Sequence, residues 1–176
     1  MSMLRPAQRA DIPALHDLIA RSGRALSAGY YSSPQADAIT RYVFGVDTQL
    51  IEDQTYFVIE QEDRVVACGG WSKRRTLFGG DQTKSGLDLL LDPTKEPARI
   101  RAFFVEPSMA RRGFGRQLMA ACVTASKQAG FHSLELVSTL PGEPLYLASG
   151  FAVQERFELD LPGGIRVPVS RMSMAI

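Results

Sequence analysis

The chain has 176 residues and a formal net charge of +1, a length that suits one domain and buries about 70% of its unfolded surface. With 45% hydrophobic and 22% charged residues, it excludes wholesale disorder, a collagen-like repeat and a disulfide scaffold. The near-neutral balance argues against holding nucleic acid through an overall basic field, so a partner must be met at a local site.

Taken in order, Met3 to Ala7 is a short apolar stretch. Asp11 then caps a helix whose Ile12, Leu15, Leu18 and Ile19 share one face. Ser22 to Ser33 reads as a helix end plus a loop, and Ser33-Pro34 opens a second helix that ends at Phe44-Gly45. Thr55–Gln61 and Arg64–Trp71 form a hairpin, with Gly69-Gly70 as a bulge or a point of close approach. Residues 79–97 carry turn chemistry and read as a surface loop with one helical turn around Leu87 to Leu91.

The second half is richer. Arg99–Val105 is an apolar strand stopped by Glu106-Pro107. From Phe114 the apolar spacing Leu118, Cys122, Ala125 predicts a helix closed at Ala129-Gly130. Leu134–Val137 is a strand and Glu143–Ser149 a helix closed by Gly150. Phe151–Leu159 and Ile165–Val169 are the last hairpin, turning at Pro162-Gly163-Gly164. Beyond Arg171 the apolar phase moves to Met172, Met174 and Ile176, which predicts a bulge near residue 170, and Pro168 predicts an edge strand.

Cys68 and Cys122 are the only cysteines, and with His16 and His132 they form no metal-ligand spacing. No export signal opens the sequence, and no apolar run of about 18 residues occurs. The expectation is a cytoplasmic protein with free buried thiols, no metal and no membrane partner.

One segment carries chemistry. Arg111, Arg112 and Arg116 flank Gly113 and Gly115 where a strand turns into a helix. A helix N-terminus has unpaired amides and partial positive charge, so stability alone favours acids there, not three arginines. Something negative is expected between them, and a diphosphate suits. The two glycines remove side chains where the backbone would approach it. The spacing lacks the Lys-Ser/Thr of a P-loop and the third glycine of a dinucleotide turn, which is Leu118 here.

From about Ala98 to Arg156 the chain resembles the coenzyme-binding half of the GCN5-related N-acetyltransferase (GNAT) superfamily. Ala110-Arg111-Arg112-Gly113-Phe114-Gly115 matches Q/R-x-x-G-x-G/A except at Ala110; Val105-Glu106-Pro107 and Leu145-Tyr146-Leu147-Ala148-Ser149-Gly150-Phe151 supply the flanking motifs in order. The resemblance implies one α+β domain over residues 1–176, with a mixed, mostly antiparallel sheet of six to seven strands and helices on both faces. It further implies strands that splay at the coenzyme site, and acetyl transfer from acetyl-CoA to the amine of a small molecule or peptide. By the same resemblance, Phe103, Phe104 and Val105 meet the pantetheine arm, Arg111, Arg112, Gly113, Phe114, Gly115 and Arg116 meet the diphosphate, and Tyr146 is the general acid toward the sulfur.

Glu106 and Glu135 are candidate bases, with relayed water as the alternative. Cys68 lacks a neighbouring base and reads as core. The Ser22–Ser33 loop, the hairpin end from Trp71 to Arg75 and the last strands are expected to wall the acceptor. Tyr30, Tyr31 and Trp71 offer aromatic surface there, and Lys73, Arg74 and Arg75 offer positive charge. Ala110 keeps a non-catalytic acyl-CoA-binding module open as the alternative. A phosphate or nucleic-acid domain ranks below both, and a homodimer is compatible with the chain.

Overall fold

The computed structural model describes residues 1–176. Its strands are β1 (Ser2–Pro6), β2 (Tyr56–Gln61), β3 (Arg64–Ser72), β4 (Ala98–Val105), β5 (Ser133–Thr139), β6 (Ala152–Leu161) and β7 (Ile165–Ala175). The helices are α1 (Ile12–Ser27), α2 (Ser33–Tyr42), α3 (Thr48–Glu52), α4 (Phe114–Gln128) and α5 (Glu143–Ser149). The seven strands form one sheet in the order β1-β2-β3-β4-β5-β7-β6. Every neighbouring pair is antiparallel except β4 and β5. This is the mostly antiparallel α+β sheet expected from the resemblance.

Two cores clamp the sheet. On one face α1 buries Leu15, Leu18 and Ile19 against Tyr56, Val58 and Phe104. On the other, Met119 and Cys122 of α4 meet Ile100, Leu134, Leu136 and Met172. Leu15, Leu18 and Ile19 are buried because their spacing puts them on one side of a 3.6-residue helix. Asp11 precedes that helix but makes no side-chain cap to it. Its carboxylate accepts the Gln8 amide at 2.7 Å and pairs with Arg5 at 2.8 Å. The β2–β3 hairpin closes through Glu62 and Asp63, both at positive φ as a two-residue turn of the hairpin hand requires.

Three local expectations need correction. Residues 87–91 form no helical turn; Leu90 bridges Arg74 in extended pairing, and the one-turn 3-10 helix of the excursion lies at Asp81–Thr83. No bulge interrupts β7 near residue 170. Its pairing with β5 is continuous, and the extra residue is Gln154 in β6. The apolar phase changes because Val167 and Val169 pack toward α2 while Met172 packs on the α4 face. Pro168 is not on an edge strand either, since β7 lies between β5 and β6. It sits one residue past the end of the β5 pairing, and its carbonyl accepts the Tyr31 hydroxyl at 2.7 Å. The N and C=O of a strand residue point the same way, so the missing N–H costs no ladder bond.

Candidate active site

The sheet opens at its centre. β4 and β5 pair only at Ala98–Leu134 and Arg99–Glu135, and from Ile100 onward the two strands diverge. The opening coincides with a bulge: Cys68 faces Phe104 and Gly70 faces Arg101, so β4 carries one residue more than β3 across that step. Ala102 takes it up at φ +57°, and bulges of this kind bend a strand and raise its twist. Glu106 donates to Val66 across β3 at 2.8 Å. Ladder bonds alternate sides along a strand, so the backbone groups of Phe103 and Val105 face the wedge. Phe104 turns its side chain into the α1 core, where its ring meets Phe44 edge-on at 5.1 Å.

At the end of β4 the chain passes through a one-turn 3-10 helix, Pro107–Met109, into the arginine-glycine turn. The amides of Met109 and Ala110 close that turn onto Glu106 and Pro107. Arg111 has φ +64° and Gly113 φ +87°, and alternation between right- and left-handed residues points successive N–H groups the same way. The first helical bond is Gln117 to Gly113 at 3.0 Å; none of the six N–H groups from Arg111 to Arg116 donates to a protein acceptor. Arg111, Arg112 and Arg116 are exposed and join no ion pair. The result is a row of unpartnered donors with three cations, none in an ion pair, at the positive end of a 15-residue helix; Arg112 also donates to the Met109 sulfur at 3.7 Å. A Cβ on Gly113 would meet nothing within 4 Å, so the turn is open on that side. Gly115 also answers a packing demand. A Cβ there would lie 3.0 Å from Leu145, so this glycine lets α4 and α5 touch.

Tyr146 stands across the wedge from β4. Its ring is edge-on to Phe103 at 6.1 Å and to Phe151 at 5.9 Å. Phe103 is in turn held by Gly69, where a Cβ would come within 2.7 Å of the ring. Burial raises the Tyr146 phenol well above its ordinary value, and the nearby Cys122 thiol adds to the rise. Tyr146 is among the residues that line the cleft described next. Burial also pushes Cys68 up to about 12. Its thiol lies 3.2 Å from the Tyr56 hydroxyl, inside the core, so it stays protonated and buried.

A cleft of about 930 Å³, counting its open mouth, lies where the wedge widens. β4, β5 and the segment before α5 form one side; Gly23, Leu26 and Ser27 of α1, the end of α2 and residues 77–80 form the other. Of residues 22–33 only Gly23, Leu26 and Ser27, all in α1, line the cleft, and Leu159 and Val169 come from the last strands. The aromatic candidates do not: Trp71 is buried in the α4-face core, Tyr31 fastens Leu140 and Pro168, and Tyr30 is exposed away from the lining. Arg74 is bound to Asp53 at 2.7 Å and Arg75 faces Glu96. Neither candidate base reaches the cleft. Glu106 pairs with Arg21 at 2.9 Å, while Glu135 holds Arg99 at 2.6 Å and Arg171 at 3.1 Å.

The sequence reading missed Arg101. Its side chain is 2% exposed and faces Asp47 and Asp88, with Lys84 also on Asp47. Hydrogen bonds from Arg101 to the carbonyls of Thr76 and Gly79 fasten residues 76–79 over the cleft. The available signal was an arginine inside an apolar central strand, together with acids in the excursion.

The sequence profile of the Acetyltransferase (GNAT) family matches residues 15–151. No protein with a curated description matches the chain in sequence. Among solved structures, the GCN5-related N-acetyltransferase from Rhodopseudomonas palustris superposes with a TM-score of 0.72 at 15% identity, covering 100% of this chain and 96% of that one. The PaiA N-acetyltransferase from Thermoplasma acidophilum, in complex with coenzyme A, gives 0.67 at 12% identity, covering 100% and 99%. The ribosomal-protein-S18-alanine N-acetyltransferase from Escherichia coli gives 0.62 at 18% identity, covering 100% and 94%. At these identities the likeness is one of fold.

Proposed function

The chain belongs to the GNAT acetyltransferase family, and from that premise we propose that it carries the acetyl group of acetyl-CoA directly to the amine of a small molecule or peptide. The observation that carries this reading is the row of six unpartnered amides from Arg111 to Arg116, beside three unpaired arginines at the end of an open wedge. Such a cradle fits a diphosphate through charge-assisted bonds from both backbone and side chains. The unpaired backbone groups of Phe103 and Val105 fit an arm that carries amides of its own. Residues 1–176 act as one domain in this reading, and the buried thiols of Cys68 and Cys122 accord with a cytoplasmic location.

Acetyl-CoA supplies a thioester whose sulfur leaves as a thiolate. A carbon–nitrogen bond forms, the carbon–sulfur bond breaks, and two protons move. Tyr146 donates one to the sulfur and recovers it from solvent; its raised phenol keeps that proton throughout the neutral range. The amine releases the other. No carboxylate or histidine lines the cleft, so water takes it; an amine that arrives as ammonium has by then given a further proton to solvent, a loss that the apolar surroundings favour. Phe103 and Gly69 position Tyr146 through the ring stack.

Thermal unfolding with acetyl-CoA, CoA, ATP and an oligonucleotide tests the reading. At 100 times its dissociation constant a ligand adds about 2.7 kcal/mol, a shift of roughly 5–11 °C for a chain of this size. Acetyl-CoA and CoA are expected to produce it; no shift with either overturns the proposal. Thiol release over a panel of amines then separates an enzyme from a binding module.

A further inference from the structure

The cleft offers no free ionised group. Of its 24 lining residues 14 are hydrophobic, and Arg101 is the one charged side chain. Arg101 is already matched: Asp47 and Asp88 face it, and Lys84 completes a balanced set of two anions and two cations. Two of the cleft hydroxyls are committed as well, Ser27 to the Gly23 carbonyl at 2.6 Å and Ser138 to the Thr139 carbonyl at 2.7 Å, and the hydroxyls of Thr139 and Tyr146 are neutral groups that cannot pair an ammonium as a carboxylate would. The remaining wall is apolar and comes from separate parts of the chain, with Leu26, Val43, Phe44, Phe78, Leu159 and Val169 among its residues. A second ammonium placed there would lose its water and meet no carboxylate; an acceptor carboxylate would find its only cation already paired.

Resting on the acetyl-transfer reading above, we propose that the acceptor is a monoamine with an apolar body, an aryl-alkyl or branched-alkyl amine. Its body lies between the α1–α2 wall and residues 77–80, and its nitrogen points toward the wedge. Such a molecule buries apolar surface along the cleft and brings one ionisable group, which is neutral when it attacks. The same apolar wall would also suit a long acyl chain on the donor, and the test separates the two.

Thiol release from acetyl-CoA is measured with 2-phenylethylamine, isoamylamine, spermidine and L-glutamate. The two apolar amines are expected to exceed the other two by at least about 100-fold in kcat/KM, the scale on which an apolar pocket rejects an added polar group. Preference for spermidine or glutamate overturns the proposed acceptor class and leaves acetyl transfer standing. No thiol release with any amine, while CoA still raises the melting temperature, also overturns it. Absence of any CoA shift would instead sink the transferase reading beneath it. Hexanoyl-CoA outperforming acetyl-CoA would assign the apolar wall to the donor and overturn the proposal. Leu26→Glu adds a carboxylate at a position that is 40% exposed, so folding is preserved. It is expected to raise the spermidine-to-phenylethylamine ratio by about 10-fold or more with the acetyl-CoA KM unchanged; an unchanged ratio counts against the assignment.

Discussion

Gly113→Glu separates the diphosphate cradle from an ordinary helix start, and Gly163→Glu is its internal control. Both glycines are left-handed, at φ +87° and +85°, and a Cβ on either meets nothing within 4 Å. Each substitution therefore costs the strain of a left-handed side chain, about 1–2 kcal/mol, or about 2–8 °C in melting temperature. Only Gly113 lies in the row of unpartnered amides; Gly163 is in the β6–β7 turn. A carboxylate about 4 Å from one diphosphate charge is opposed by about 4 kcal/mol at an effective dielectric of 20, which is about 1000-fold in affinity. At a CoA concentration 100 times the native dissociation constant, the Gly113→Glu site would be at about a tenth of its own. CoA would then add less than about 0.1 kcal/mol, against about 2.7 kcal/mol for the native chain and the control. The assay is thermal unfolding of the three proteins with and without CoA. Equal CoA shifts in the two variants would refute the cradle.

Tyr146→Phe is expected to lower kcat by about 100-fold or more and to leave the acetyl-CoA KM alone, because the ring that packs on Phe103 and Phe151 is kept; an unchanged kcat removes the general acid. Arg101→Met strands the buried carboxylates Asp47 and Asp88 and is expected to cost about 3–5 kcal/mol in urea unfolding. A loss under about 1 kcal/mol would show that the cluster is not sealed from water. Stability should also fall in alkali. Burial raises both thiols, Cys68 to about 12 and Cys122 further, while unfolded thiols ionise near 8.5. The contribution is complete below that unfolded value and is lost as pH rises toward the folded ones. With two thiols, the slope approaches about −2.7 kcal/mol per pH unit between pH 9 and 10; a flat profile there would contradict their burial.

The elements that sequence reading placed well are those whose ends carry backbone chemistry. Gly150, at φ +105°, closes α5 where expected, and Gly113 opens α4. The open turn at Arg111–Arg116 was legible for the same reason: glycines and misplaced arginines announce a demand that secondary structure alone does not make. The lining of the cleft was not. Trp71 and Tyr31 carry no mark of which sheet face they occupy, and the first went into the α4 core while the second became a tie between strand ends. α3 escaped notice because five residues with buried Leu50 and Ile51 give too short a period to detect. The change of apolar phase after residue 170 imitates a bulge, yet it arises from helices covering opposite faces of one straight strand. Arg101 depends on acids 54 residues before and 13 residues behind it in sequence, a pairing that only the folded sheet assembles.

In the proposed function the β4–β5 wedge and the Arg111–Arg116 amides receive acetyl-CoA. A crystal structure of the CoA complex tests it most directly. The expected result has diphosphate oxygens within hydrogen-bond distance of those amides, the pantetheine arm paired to Phe103 and Val105, and the sulfur beside the Tyr146 hydroxyl. CoA bound elsewhere, or a diphosphate held away from the six amides, would contradict it.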